Sequence, residues 1–496
     1  MSPASLWLLL PLLAWAEPDA DEAPEGTEAS VEEEPTTPDR TGPPEVPPPD
    51  VLALPEPERH VLSDAVEVLH VPVPGVRKVE ITILPRRGRA ELELGRHVES
   101  AMGWLADVAS EAHDPAELEA LEDLREVDVY SSVRTHDAMF GVEAPREELA
   151  LGLELLSDMV HRPTFPKADL KRYILDQERD HLLRAPSRPR VVARALLAYS
   201  WFAPDHPYGE RPDLSQYDGL KNKELAGAYH DLLRSSPITV LSVGDIAYEE
   251  VQPALEAMLK DLGTPGEPAM EIPCPPPGSS RVLASALPGQ EQVTLRLRTT
   301  APSRSDDDHV AAWAGSYVLG GHFLSRLNAN LREDKGWTYG SSASYERGPH
   351  DGVLTVSVDV KAEDVAGAVG EIEKELQRLV DDGVTAAELT LAQRRLVAEW
   401  NETLVTAGDA HGSYLKALSR GATMAEQRAS YQALAEVVPA DVQRVAEAHW
   451  GADGVRVWVL VGDRDAIQGQ LDALGWTAEW VDPADAILGK VPAATP

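Results

Sequence analysis

Apolar residues recur along this chain in two rhythms. In "DVAGAVGEIEKELQRLVDDG" the positions Val365, Val369, Ile372, Leu376 and Leu379 step by four and three residues, and Gly383 follows. That spacing places them on one face of a helix with a glycine stop. Leu149, Leu153, Leu156 and Val160 form a second such face in "EELALGLELLSDMV". The stretch "MGWLADVASEA" (102–112) predicts a third amphipathic helix, with Leu105, Val108 and Ala109 turned inward. Thr385 and Glu388, three residues apart, are spaced as a capping box that opens another helix. Short apolar runs bounded by turn residues predict strands at 79–85, 237–246, 293–299 and the start of 455–475.

The strands do not recur at random. "PITVLSVGDI" and "VRVWVLVGD" both end on Val-Gly-Asp, and both lead into a helix that finishes on Leu-Gly, at 262–263 and 474–475. A repeat on the scale of a whole domain predicts a duplicated fold. We expect an N-terminal domain over 59–263, a proline-rich linker over 264–280, a C-terminal domain over 281–485 and a short tail over 486–496. Helices cluster between short strands in each half. The predicted class is α+β, two homologous domains, each a mostly antiparallel sheet with helices packed on one face.

Composition changes this picture at the N-terminus. Residues 17–58, centred on "SVEEEPTTPDRTGPPEVPPPD", are rich in Pro, Asp and Glu and offer little to bury, so a disordered acidic tail is expected there. Before it, an apolar run at 6–13 followed by Ala14-Trp15-Ala16 has the pattern of a signal peptide over 1–16. The run is too short for a stable membrane span. Export across a bacterial inner membrane to the periplasm is expected, with no transmembrane segment beyond the signal. The formal charge of −38 repels phosphate backbones and argues against nucleic-acid partners. The one cysteine, Cys274, sits in the linker "IPCPPPG" and excludes an intrachain disulfide and any cysteine-rich zinc cluster.

The most specific text is "LGGHFLSRLNANLREDKGWTYGSSASYERGPHDGVLTVSVDV" (319–360). With "RPTFPKADLKRY" and "DHPYGERP" in the first half, it closely resembles the pitrilysin/insulinase family of zinc metallopeptidases, over about 61–475. The resemblance implies an inverted motif, His-x-x-Glu-His on a helix, with a distant Glu as third ligand. Two imidazoles and a general base on one helical face can hold zinc and activate water.

Carried onto this chain after the Gly of "GWLADVASEA", the motif places Ala106 and Ser110 at the two His positions and Ala109 at the base. Counting on from "ADLKRY", the third ligand falls at Ala185, 75 positions after Ser110. All four positions are vacant, so no metal ligand and no catalytic residue is expected in this chain. His97, Glu99, His113 and Glu117 flank the helix without ligand spacing, and no His-x-x-x-His pair occurs anywhere. Asp107 and Glu111 could share a helical face, where an acidic pair is expected to be solvated. Gly320-Gly321 reads as a tight turn, because no Lys-Ser/Thr follows to suggest phosphate binding.

What the resemblance retains is Arg332 and Tyr339 in "LREDKGWTY", matching residues that the family places opposite the zinc to hold substrate backbone. An arginine fork and a phenolic donor suit peptide carbonyls or an oxyanion. The bland alternative pairs Arg332 with Glu333 or Asp334 and leaves Tyr339 to pack. The whole pattern resembles the non-catalytic subunit of split bacterial enzymes. It implies a heterodimer with a zinc-bearing sister subunit, zinc held by the partner, and a peptide substrate. Two alternatives stay open: a peptide-binding or scaffold protein without catalytic role, as a homodimer, and an active zinc peptidase with an unconventional site.

Overall fold

The computed structural model describes residues 49–492 except 269–271, 274, 349–350 and 405. The expected signal peptide, most of the acidic tail, Cys274 and the last four residues lie outside the described residues. The first half runs β1 (Glu58–Ser63), β2 (Val66–Pro72), β3 (Lys78–Pro85), α1 (Arg96–Leu105), α2 (Pro115–Arg125), β4 (Asp128–Val133), β5 (Ala138–Pro145), α3 (Leu149–His161), α4 (Lys167–Arg179), α5 (Pro189–Trp201), α6 (Asn222–Ser235), β6 (Ile238–Gly244) and α7 (Tyr248–Leu259). The second runs β7 (Arg281–Ala286), β8 (Gln292–Ala301), α8 (His309–Ser316), β9 (Ser341–Arg347), β10 (Gly352–Lys361), α9 (Val365–Asp381), α10 (Ala386–Glu402), α11 (Ala407–Ser419), α12 (Met424–Ala433), α13 (Pro439–Val445), β11 (Arg456–Gly462), α14 (Arg464–Leu474), β12 (Glu479–Trp480) and α15 (Pro483–Ile487).

Each half builds a six-stranded sheet, ordered β1-β2-β6-β3-β5-β4 and β12-β7-β11-β8-β10-β9. Five of the six positions match between the halves, so the repeat read from the sequence is a repeat of topology. It reaches single hydrogen bonds. Asp245 Oδ2 accepts from Gly75 N at 3.0 Å, and Asp463 Oδ2 accepts from Gly289 N at 3.2 Å. Both glycines have φ near +80°, which a side chain would resist. The strands β6 and β11, buried at every position, pair in parallel with β2 and β7 and antiparallel with β3 and β8. Continuous apolar runs are what a strand covered on both faces requires.

That double cover refines the expectation of helices on one face. Each half packs most of its own helices on one side of its sheet: Ile81, Ile83, Phe140 and Val240 share a core with α1, α3 and α6, whereas Ala486 and Ile487 of the short α15 lie on the other side of the second sheet. That other side of each sheet also takes a helix from the opposite half. Val192 and Leu196 of α5 pack with Val457, Val459 and Val461 of β11. Ala410, Tyr414 and Ala417 of α11 pack with Leu84, Leu241 and Val243 of β3 and β6. Burying a side chain of this size contributes about 1.5–3 kcal/mol, so each exchanged helix ties the halves by several such increments.

Polar contacts fix the register of this exchange. His411 of α11 is buried, with Nδ1 2.6 Å from Glu80 Oε2 and Nε2 2.9 Å from Thr82 Oγ1 on β3. The last residues of the stretch expected to be an acidic tail make contacts with the second half. Leu52 N donates to Asn401 Oδ1, Trp400 Nε1 donates to Leu52 O, and Tyr414 Oη donates to Pro55 O, so residues 50–55 are a strap across α10 and α11. Likewise part of the expected C-terminal tail packs: Val491 is buried and Arg281 Nη2 donates to Pro492 O at 2.9 Å.

Glu80→Ala removes the carboxylate that faces buried His411. Loss of one partner from a buried pair is expected to cost about 3 kcal/mol. Calorimetry should show a lower melting temperature and the separation of one endotherm into two as the halves uncouple; an unchanged single transition would refute this.

Candidate functional site

The helix predicted over 102–112 is shorter and starts earlier. α1 spans Arg96–Leu105, and the backbone leaves the helix at Ala106. Beyond it the chain runs extended: Ser110 bridges Pro163, Thr164 N donates to Ala109 O at 3.1 Å, and Glu111 N donates to Arg162 O at 2.9 Å. Gly103 lets α1 lie directly on β4, since a Cβ there would meet Val133 N at 2.8 Å. Leu105 and Ala109 are buried as expected, and Val108 is half-buried.

This helix end offers no ligand set for zinc. Ala106 and Ala109 are buried methyl groups, and Ser110 Oγ accepts from Ala112 N and His113 N, both at 3.1 Å. The flanking groups have structural partners: Glu99 pairs with Arg89 at 2.6 Å, His113 with Asp158 at 3.6 Å, Glu117 completes the capping box of α2, and His97 meets the Tyr217 ring at 5.9 Å. Among the described residues no group of three or more His, Cys, Asp or Glu is arranged to hold a metal ion.

Ala185 lies elsewhere. It follows the π-helical turn Asp180–Arg184 and packs with Val192 and Ile487, in a different core from that of Ala106. One helix that lies on α1 is α4, through the Trp104 and Tyr173 rings 5.8 Å apart, and its Gln177 lines a small cavity with His97 and Ser100. The structure therefore brings Ala106, Ala109 and Ser110 into one stretch and leaves Ala185 apart.

Asp107 corrects another expectation. Its carboxylate is not a solvated partner of exposed Glu111; Oδ2 accepts from Ser131 N of β4 at 2.9 Å. Burial raises its pKa to about 6 against the opposing pull of that N–H. No periodicity in the sequence signals this, because the turn that tucks Asp107 inward replaces the predicted helix.

In the second half, buried Asn328 organises the segment that carries the retained residues. Asn328 Oδ1 accepts from Ser341 N at 2.8 Å, and Nδ2 donates to His322 O and Ser341 O, both at 3.1 Å. Arg326 forks onto Glu388 at 2.7 and 2.9 Å, and this guanidinium holds the Glu388 pKa down to about 2. The Gly-Gly pair is steric: a Cβ on Gly320 would meet Ala343 N of β9 at 2.3 Å. Arg332 follows in the π-helical turn Asn328–Asp334. Its guanidinium carbon lies 4.2 Å from the ring centre of Phe323, and its Nε is 3.5 Å from Glu333 Oε1.

Tyr339 does not pack. It is 91 % exposed and lines an open groove of about 1030 Å³ with Trp337, Lys361 and Gln470. Arg332 is not part of that lining; it stands over Phe323, beside which Leu324 is also exposed. These two exposed apolar residues escaped the sequence reading, although their place directly after Gly320-Gly321-His322 could have pointed to them.

The two perturbed carboxylates titrate in opposite senses. Asp107 has a folded pKa above its ordinary 3.8, so stability falls as pH rises from about 4 to about 6. Asp107→Asn should raise the melting temperature at pH 7, on the order of 1–2 kcal/mol, and leave it unchanged near pH 4. Glu388 has a folded pKa below 4.5, so its contribution is complete above that pH and is lost as pH falls toward 2. Arg326→Gln should remove this acid-side loss; melting curves from pH 2 to 8 test both signs.

Comparison with known proteins agrees with this geometry. Residues 220–396 match the family described as the peptidase M16 inactive domain. No curated protein matches the sequence. Among solved structures, the peptidase M16 inactive domain from Pseudomonas fluorescens superposes with a TM-score of 0.73 at 18 % identity, covering 82 % of this chain and 98 % of that one. A protease from Helicobacter pylori gives 0.69 at 18 %, covering 82 % and 100 %. The periplasmic protease PqqL from Escherichia coli gives 0.69 at 14 %, covering 83 % of this chain and 47 % of that one. The stretch 220–396 thus matches a peptidase M16 inactive domain, and the two-sheet fold of the chain is the one these solved structures share.

Proposed function

We propose that this chain is the non-catalytic subunit of a two-chain peptidase, supplying Arg332 and Tyr339 to peptides that a zinc-bearing sister subunit cleaves. The observation that carries this reading is Tyr339. A phenol that is nine-tenths exposed at the mouth of a groove contributes nothing to its own core and is free to meet a ligand. Arg332 supports it: one cation–π contact and a long ion pair leave most of its five N–H donors for peptide carbonyls.

Exposed Phe323 and Leu324, with Trp104 exposed on α1, offer apolar surface for a partner or a bound peptide. Peptide cleavage by the pair would follow from a division of labour. Zinc held by the sister would supply Lewis-acid polarisation of the scissile carbonyl, and Arg332 and Tyr339 of this chain would orient the peptide backbone. Export to the periplasm is part of the proposal, on the signal-like pattern at 1–16 and the fold shared with a protease described as periplasmic. No helix among the described residues is long and apolar enough to cross a membrane.

The test uses this chain alone and with a zinc-bearing sister, a mixed peptide library and metal analysis. The lone chain should hold no stoichiometric zinc and cleave nothing. The pair should exceed the sister's own rate. Arg332→Ala and Tyr339→Phe should each lower kcat/KM of the pair by about tenfold, near 1.4 kcal/mol, without shifting the melting temperature. A sister fully active by itself would sink the proposal. Peptide binding by the isolated chain, with no gain on pairing, would favour the homodimeric scaffold reading instead.

A further inference from the structure

In a protein with 83 acidic and 45 basic side chains, two adjoining cavities that share Arg347, Lys416 and Arg420 have the opposite balance, and the first of them is the candidate ligand site. It encloses about 610 Å³ between the ends of α11 and α12 and the start of the second half. Its wall carries Arg304, Arg347, Lys416 and Arg420 against two carboxylates, Asp409 and Glu426. Both carboxylates are committed to helix starts: Asp409 Oδ2 accepts from Thr406 Oγ1 at 2.6 Å, and Glu426 Oε2 accepts from Thr423 N at 2.7 Å.

Arg347 and Lys416 are not balanced in the same way. Arg347 stacks its guanidinium 4.2 Å over Trp313 and makes no hydrogen bond among the described residues; its Nη1 is sealed from solvent without an acceptor. Lys416 likewise has no carboxylate partner among the described residues. Arg304 Nη2 donates to Arg420 O, a neutral acceptor, at 2.6 Å. Burial and the neighbouring cations lower the pKa of Lys416. A buried guanidinium with no acceptor is costly, and nearby like charges add to that cost. Water could supply acceptors, but it could not offset the mutual repulsion of the cations. A bound anion does both.

We propose that this cavity is a binding site for a small multivalent oxyanion, held by Arg347 and Lys416 with Arg304 at its side. Multivalency follows from several cations converging on one space, and oxyanion chemistry from the planar fork of Arg347. Lys416 stands on α11, the helix that the second half lends to the first sheet, so an anion bound here braces the seam between the halves.

The experiment titrates the full chain with pyrophosphate and, separately, with citrate, by calorimetry at constant ionic strength. One saturable site per chain and a raised melting temperature are expected for at least one of them, and the tighter of the two tells phosphoryl from carboxylate ligands. Arg347→Gln and Lys416→Gln should each weaken binding at least tenfold. Arg347→Gln removes an unpartnered charge, so without anion it should melt no lower than wild type, which separates loss of the site from misfolding. If that variant does not fold, Lys416→Gln carries the test. No saturable binding beyond matched chloride, or binding unchanged in the variants that fold, would overturn the proposal.

Discussion

The structure depends on a reciprocal loan. Neither half covers the back of its own sheet by itself, because most of its own helices occupy the front and only the short α15 joins α5 behind the second sheet. α5 lies behind β11, and α11 lies behind β6 and β3. Each loan buries strands whose side chains are apolar on both faces, so neither sheet is finished until the other half is in place. The Glu80–His411–Thr82 contacts and the strap at 50–55 add directional bonds to that nondirectional burial. The two halves of this duplicated fold are thus chemically coupled, although each has the element order of a complete domain.

Against this scaffold, the stretch that follows α1 is shaped locally. The methyl groups of Ala106 and Ala109 join the core. α1 stops at Leu105, and residues 109–111 pair instead with 162–164. The cost appears one residue away, where Asp107 keeps a buried carboxylate with a raised pKa. In the second half Asn328, Arg326 and Gly320 hold the turn before β9 by polar bonds and close approach, and Arg332 and Tyr339 are displayed on it.

Charge follows a similar division. Net acidity governs long-range approach, whereas the cavity beside α11 is set by a few cations held close together in low dielectric. The two do not conflict, since the net field is averaged over the surface and the cavity's field is local.

Much of the architecture was legible in the chain itself. The four-and-three spacing of Val365 to Leu379 is a buried face of α9, Thr385 and Glu388 form their capping box, and the two Val-Gly-Asp turns mark equivalent strand ends. These signals are local: period, cap and turn are properties of neighbouring residues. Tertiary structure alone decided the rest. Which helix covers which sheet, the burial of Asp107 under β4, the separation of Ala185 from Ala106, the exposure of Tyr339 and the gathering of Arg304, Arg347 and Lys416 all depend on residues brought close from distant parts of the chain. Burial and electrostatics are sums over spatial neighbours, and those neighbours exist only once the two halves have closed on each other.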